Sequence, residues 1–167
     1  IALASLGANV TLMARSEDVL KSVVSELDIT KGQQHDFIIV DYADRADLGN
    51  KVSAKLQTHP FHILINNTGG PASGAILNAT SEQFLDAYQK HLLCNHLLVQ
   101  LLLEGMKEAE YGRIINIIST SVRIPIDGLG VSNTTRGAVA SWSKTLANEV
   151  GRFGITVNNV LPGATST

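Results

Sequence analysis

Short apolar runs alternate with helical patterns along almost the whole chain, and this alternation constrains the fold more than any other feature. The segments between the runs carry apolar residues at helical spacing, whereas the runs themselves are apolar throughout. Strands that are apolar on both faces and alternate with helices are typical of a parallel sheet covered on both sides. We therefore predict an α/β fold, a doubly wound parallel sheet in three α/β/α layers, with strands near 9–14, 36–40, 62–65, 113–118 and 156–161.

Composition narrows the class of protein. The 167 residues suffice for one domain with its own core, so we predict a single domain over 1–167. A formal net charge of −2 gives no electrostatic reason to expect a nucleic-acid partner. No apolar run is long and charge-free enough to suggest a membrane span, and no metal site is predicted. The single cysteine, Cys94, suits a core thiol in a reducing cytoplasm.

Two long helices are predicted in the second half of the chain. The first, over 82–108, opens at Ser81 and is apolar on more than one face. The second begins at Ser132 or Asn133 and runs to about residue 151. Because a helix that is apolar on two sides packs on both, we expect a homodimer or homotetramer built through helices 82–108 and 133–151.

Several short motifs follow the predicted strands in a fixed order. Asp41 follows the second strand, and Asn66-Asn67-Thr68-Gly69 follows the third. Gly112-Arg113-Ile114 opens the fourth strand, Ser119 ends it, and Pro162-Gly163 follows the fifth. Together these motifs resemble the short-chain dehydrogenase/reductase family, particularly 3-oxoacyl carrier-protein reductases. The resemblance covers nearly the whole chain and implies a Rossmann-type, dinucleotide-binding domain.

The resemblance also implies that parts of that domain lie outside the sequence. In the family a first strand and a glycine-rich turn meet the cofactor pyrophosphate, and Ile1 aligns inside the helix that follows this turn. The family's substrate loop and last strand follow the position of Gly163. We therefore expect a partial domain, truncated at both ends, that lacks the first and the last strand of its sheet.

The resemblance places the adenosine ribose at the end of the first visible strand. Family members specific for NAD carry an acidic residue there, which accepts the ribose 2′-hydroxyl. Here Ala14 is followed by Arg15 and Ser16. A guanidinium favours the 2′-phosphate of NADP through charge-assisted hydrogen bonds, although a solvated arginine after a strand is the plain alternative. We expect NADP as the cofactor, with NAD less favoured.

Further cofactor contacts come from the family pattern alone. Asp41 resembles the residue that meets the adenine amino group, and Tyr42 lies beside it. The resemblance also assigns residues to the adenosine side and the nicotinamide side of the cofactor. These residues are Asn67, Thr68, Gly69, Arg136, Pro162 and Gly163.

The catalytic positions match the family only in part. There a tyrosine supplies a proton, a lysine lowers the tyrosine pKa, a serine binds the carbonyl and an asparagine helps to hold a water molecule. The serine aligns with Ser119, but the tyrosine aligns with Ser132, the lysine with Arg136 and the asparagine with His91. The substitutions keep a hydroxyl and a positive charge and lose the usual acid. His91 could titrate near neutrality and replace that acid, or it could simply be a packed helix residue.

Because only some catalytic positions match the family, three interpretations remain open. The chain is a divergent NADP-dependent oxidoreductase that moves a hydride between its cofactor and a small carbonyl or alcohol substrate, or it is a non-catalytic dinucleotide-binding or scaffold protein. The third is a truncated product that binds no nucleotide. Cofactor binding separates the third interpretation from the others, and turnover separates the first from the second.

Overall fold

The computed structural model describes residues 1–163, which form two compact units, Ile1–Val52 and Ser53 onward. All strand pairs in both units are parallel, and helices follow the strands as the sequence pattern predicts. The α/β class is therefore confirmed. β-branched and leucine-rich runs form the strands because such side chains pack well on a pleated surface that is covered on both sides.

The first unit holds a two-stranded sheet in which β1 pairs with β2 from Thr11↔Asp36 to Ala14↔Ile39. The Ser16 side chain caps α2 by accepting the Val19 N–H at 3.4 Å. The capped end of α2 therefore follows β1 directly. The elements of this unit are α1 (Ala2–Ser5), β1 (Thr11–Ala14), α2 (Glu17–Ser25), β2 (Asp36–Ile39) and the start of α3 (Arg45–Leu56).

The second unit holds a three-stranded sheet of order β3-β4-β5. Its core lies where β4 meets the two long helices, with Ile114, Leu98 and Val139 fully buried. In this sheet, strand ends that carry predicted site residues lie side by side. The elements are β3 (Ile63–Asn66), α4 (Ser81–Tyr88), α5 (Cys94–Glu108), β4 (Gly112–Ile117), α6 (Gly130–Val150) and β5 (Ile155–Val160), with 3₁₀ turns at Ile76–Asn78, Thr120–Val122 and Gly151–Phe153.

The helix predicted over 82–108 is not continuous. Thr80, rather than Ser81, is its N-cap, because Thr80 and Gln83 form a capping box in which each side chain accepts the other's backbone N–H. A π-helical turn, Gln89–Leu93, then separates α4 from α5. Such wide turns inside α-helices are frequent at functional sites. This one contains His91.

Helix α6 begins earlier than Ser132 or Asn133. It starts at Gly130 because the preceding segment pairs with residues near Gly74. The Gly74 N–H donates to Gly128 O at 2.6 Å, and the Gly130 N–H donates to Gly74 O at 3.2 Å. A Cβ atom on Gly130 would lie 2.6 Å from the Cα atom of Ile76, so only glycine allows this approach. Ser132 consequently lies in the first turn of the helix instead of capping it.

Candidate active site

The candidate active site lies at the carboxyl ends of β3, β4 and β5, the edge where open parallel sheets bind ligands. Asn66 at the end of β3 is in register with Asn116 on β4. Beyond the strands, the Thr120 N–H donates to Pro162 O at 3.1 Å. This bond joins the segment that follows β5 to the segment that carries Ser119.

Three asparagines link the strands beneath this edge. Asn116 is fully buried, and its Oδ1 accepts Asn66 Nδ2–H at 2.8 Å. Its Nδ2 donates to Ser143 Oγ of α6 at 2.9 Å and to Asn159 Oδ1 of β5 at 3.1 Å. The Ser143 hydroxyl in turn donates to Val139 O at 2.7 Å. We call Asn66, Asn116, Ser143 and Asn159 the asparagine network.

The asparagine network was not predicted from the sequence, although the sequence carries one signal of it. Asn116 and Asn159 interrupt strands that are otherwise apolar, and an amide in a buried strand needs a partner. Their mutual register, Asn116↔Asn159, becomes visible only when the strands are paired. The network joins three strands and one helix, and it thereby fixes the strand ends that carry the site.

Ser119 follows β4 and is partly exposed. Its Oγ accepts the Ser121 N–H at 3.1 Å, which closes a 3₁₀ turn. A serine hydroxyl offers one proton and two acceptor lone pairs, and the turn uses one lone pair. The Ser119 proton thus remains available to a substrate oxygen.

Arg136 lies on α6 and reaches back to the same strand. Its Nη1 donates to Ile117 O at 2.8 Å, two residues before Ser119. Burial lowers the pKa of Arg136, yet a guanidinium remains protonated at any physiological pH. Ser132 lies one helical turn before Arg136, so both residues share one face of α6. The cation is therefore held near the strand end that carries Ser119.

His91 is buried in the π-helical turn, with 2% of its surface exposed. Its Nδ1 lies 2.5 Å from Thr68 Oγ1, in the segment after β3. Burial, and then the charges of Arg136 and Lys90, lower the pKa of His91 from 6.5 to about 4. His91 is therefore neutral at pH 7. The expectation that it titrates near neutrality is wrong, because a charged imidazole would lose its hydration here.

Residues predicted to line a cofactor in this unit differ in their surroundings. Asn67 and Gly69 are exposed, and open space surrounds Gly69. The Thr68 hydroxyl, in contrast, is engaged by His91. Pro162 is held through its carbonyl by Thr120, and open space surrounds Gly163. The structure therefore brings Thr68, His91 and Arg136 into one cluster.

The residues predicted to meet the adenosine lie in the first unit. Arg15 is exposed at the end of β1, and within residues 1–163 its guanidinium has no hydrogen bond or ion pair. Ser16 follows at the N-terminus of α2, whose free N–H groups favour an anion. Asp41 Oδ1 accepts the Ala43 N–H at 2.9 Å, and its other oxygen is left for a further donor. The end of β1 therefore places an unpaired guanidinium beside the N-terminus of α2.

The described residues hold neither a metal-binding cluster nor a membrane-spanning helix. No group of three His, Cys, Asp or Glu side chains within residues 1–163 could hold a metal ion. No helix in that part of the chain is long and apolar enough to cross a membrane.

Comparison with known proteins gave matches over the whole chain. Residues 1–167 match the family model described as short chain dehydrogenase. The chain is 35% identical over 168 residues to "Granaticin polyketide synthase putative ketoacyl reductase 1" of Streptomyces violaceoruber, covering 99% of this chain and 61% of that protein. It is 26% identical over 162 residues to "Inactive hydroxysteroid dehydrogenase-like protein 1" of Homo sapiens, covering 96% of this chain and 49% of that protein.

Comparison with solved structures also indicates this family. The crystal structure of L-sorbose reductase from Gluconobacter frateurii complexed with NADPH and L-sorbose matches with a TM-score of 0.91 and 29% identity, covering 99% of this chain and 63% of that one. The chain spans about three fifths of the length of the ketoacyl reductase and of the sorbose reductase. From the family match over its full length and from its Rossmann-type architecture, we conclude that the chain belongs to the short chain dehydrogenase family.

Proposed function

We propose that the protein is a divergent NADP-dependent oxidoreductase that interconverts a carbonyl and an alcohol on a small-molecule substrate. The observation that carries this proposal is the 2.8 Å bond from Arg136 Nη1 to Ile117 O. It holds a cation of α6 at the end of β4, two residues before Ser119 in the chain. When negative charge develops on a carbonyl oxygen, it is stabilised by a hydroxyl donor and a fixed positive charge at the same strand end.

NADPH, when bound, supplies the hydride. Ser119 then donates a hydrogen bond to the substrate carbonyl, and the positive charge of Arg136 stabilises the developing alkoxide. Both groups are positioned before the reaction, so little reorganisation is required of them. Arg136 also replaces the family lysine as the cation that would hold the nicotinamide ribose.

Protonation of the alkoxide is assigned to water. Arg136 releases no proton near neutrality, and the hydroxyl of Ser132 is a much weaker acid than a phenol. His91 is neutral at pH 7, since its pKa is about 4. With these groups unable to act as the acid, a water molecule that exchanges with solvent delivers the proton. Turnover on simple ketones should accordingly be slow.

Preference for NADP over NAD is supported by Arg15. Its guanidinium is exposed and unpaired among the described residues, and Ser16 caps the helix that follows. The sorbose reductase at 29% identity was solved with NADPH. The substrate class is proposed as 3-oxoacyl-like, since the relative at 35% identity is named a ketoacyl reductase.

Self-association is part of the proposal. On α4, Leu85 is 70% exposed and Tyr88 is 42% exposed, which is unusual for such large side chains on a helix that is already packed on its other face. We propose a homodimer or homotetramer through helices 82–108 and 133–151, and a cytoplasmic location. The single dinucleotide-binding domain expected over 1–167 stays a prediction.

A second candidate is a dinucleotide-binding protein without turnover. The observation that favours it is Ser132 in place of the family tyrosine, together with the 26% identity to a human relative that is named inactive. Both candidates predict NADPH binding, and only the first predicts NADPH consumption in the presence of a carbonyl compound.

The experiment measures NADPH oxidation with a panel of 3-oxoacyl thioesters and simple ketones. We expect slow turnover that falls by about 10²-fold in Ser119→Ala, since one donor to a developing oxyanion is worth about that much. Ser141→Ala is the matched control, because Ser141 is an exposed serine on α6. Turnover that Ser119→Ala leaves unchanged would refute the role of Ser119. NADPH binding without turnover on any substrate would favour the second candidate.

A further inference from the structure

Three positions at which this chain departs from the family pattern lie in one cluster. The family resemblance pairs Asn66-Asn67-Thr68-Gly69 with an Asn-Asn-Ala-Gly motif, so Thr68 stands where the family has alanine. In the same way His91 stands for the family asparagine and Arg136 for the lysine. The Thr68 hydroxyl lies 2.5 Å from His91 Nδ1, and the charge of Arg136 acts on the same ring. An alanine at position 68 could not hold the imidazole. Thr68 therefore supplies a contact to His91 that an alanine lacks.

The two ring nitrogens of His91 have different surroundings. Nδ1 is taken by Thr68, whereas Nε2 has no hydrogen-bond partner within residues 1–163. A neutral imidazole carries one N–H and one lone pair, and the bond at one nitrogen decides which of them the other presents. The charged groups that act on the ring are Arg136, Lys90 and Asp86.

We propose that Thr68 is a positioning residue that accepts the Nδ1–H of His91 and so presents Nε2 as a hydrogen-bond acceptor within the site. The proposal rests on the function proposed above, in which water protonates the alkoxide. The water gives its proton to the alkoxide oxygen and regains one from solvent. His91 accepts a hydrogen bond from this water and orients it, without exchanging a proton. Thr68 thus acts through His91 and does not bind the cofactor.

The first measurement is ¹⁵N NMR of the histidine side chains in the protein, with His91→Asn used to assign the signals. We expect one neutral tautomer for His91, with the proton on Nδ1, between pH 6 and pH 8. In Thr68→Val the Nδ1–H loses its acceptor, so we expect the proton to redistribute toward Nε2. Thr68→Ser should restore the original spectrum. Thr145→Val, which changes an exposed threonine of α6, is the matched control.

Either of two results would overturn the tautomer assignment. One is an Nε2–H signal in the unsubstituted protein, which needs no variant and therefore no assumption about folding. The other is a His91 spectrum that Thr68→Val leaves unchanged. Neither result depends on turnover, so the state of His91 is decided even if the protein consumes no NADPH with any carbonyl and the proposed function fails.

Kinetics test the link to catalysis. We expect Thr68→Val to lower kcat by about tenfold, below the 10²-fold or more of a lost general acid, because a misplaced water is less costly than a missing one. The KM for NADPH should stay unchanged, and Thr68→Ser should recover the rate. An unchanged kcat together with a changed tautomer would overturn the role of His91. A raised KM for NADPH would show instead that Thr68 contacts the cofactor.

Discussion

Two polar clusters lie at the same sheet edge of the second unit, and they differ in what they leave unpaired. In the asparagine network, Asn116 uses both amide hydrogens and its oxygen within the protein. In the cluster of Thr68, His91 and Arg136, the free Nε2 of His91 remains available, as do further N–H groups of the guanidinium. A polar group that is satisfied within the fold fixes geometry, whereas one that is only partly satisfied can bind and orient a ligand.

The largest expected effect is on the asparagine network. Asn116→Leu would remove the acceptor of the buried Asn66 amide and the two bonds from Asn116 Nδ2 to Ser143 Oγ and Asn159 Oδ1, while Ser143 and Asn159 stay bonded to each other. We expect a loss of about 3–5 kcal/mol in the free energy of unfolding, since one buried unsatisfied amide costs about 1–3 kcal/mol and each of the two further hydrogen bonds lost contributes about 1 kcal/mol. Urea denaturation of the protein measures this.

Asn158→Leu is the control for that variant. Asn158 lies on β5 but is exposed, so its replacement should change stability by less than about 0.5 kcal/mol. Similar losses for the two variants would mean that the network adds no stability beyond what any strand asparagine adds.

The second prediction concerns the pH dependence that His91 imposes. Its pKa is about 4 in the folded protein and 6.5 as an ordinary histidine, so the unfolded chain binds more protons between these values. Stability is therefore fully present above pH 6.5 and falls as the pH drops toward 4, by about 3 kcal/mol in total. Denaturant titrations at a series of pH values measure the slope.

His91→Asn removes this titrating group and should flatten the curve between pH 6.5 and pH 4. His59→Asn is the matched control, because His59 is exposed. If His91→Asn retains the full slope, another group causes it and His91 is not held neutral by the fold.

The sequence predicted the strands to within about two residues, because a buried parallel strand leaves a continuous apolar run that needs no partner to be recognised. It missed where α6 begins, because that start depends on the pairing of Gly74 with Gly128 across more than fifty residues. The π-helical turn at Gln89–Leu93 was missed as well, since the apolar spacing there reads as ordinary helix.

The candidate site, like the fold, was predicted only in part. Ser119 and Arg136 were identified from motif positions, and the structure brings both to the end of β4. The charge state of His91 could not be predicted, because it depends on burial and on Arg136, which lies 45 residues away in sequence. The bond from Thr68 to His91 was missed for the same reason. Sequence patterns identify residue types, and tertiary packing sets their protonation.

The smallest expected effect is at Arg15, which lies in the first unit. Arg15→Ala should weaken NADPH binding by about tenfold and leave NADH binding nearly unchanged, because only NADPH carries the 2′-phosphate. Fluorescence titration with both cofactors measures this. Lys21→Ala on α2 is the control, since Lys21 is already paired with Glu17. Equal weakening for NADPH and NADH would show that Arg15 does not read the phosphate.

The proposed function requires that this site keep the groups that promote hydride transfer and lack the group that donates the proton. Its most direct test is NADPH consumption at pH 7 by the protein and by the double variant Ser132→Tyr and Arg136→Lys, with equal cofactor saturation. A restored acid is worth about 10²–10⁴-fold in rate, so we predict at least a 10²-fold faster reduction of simple ketones by the double variant. A double variant that binds NADPH as tightly but reduces ketones no faster than the unsubstituted protein would contradict this requirement.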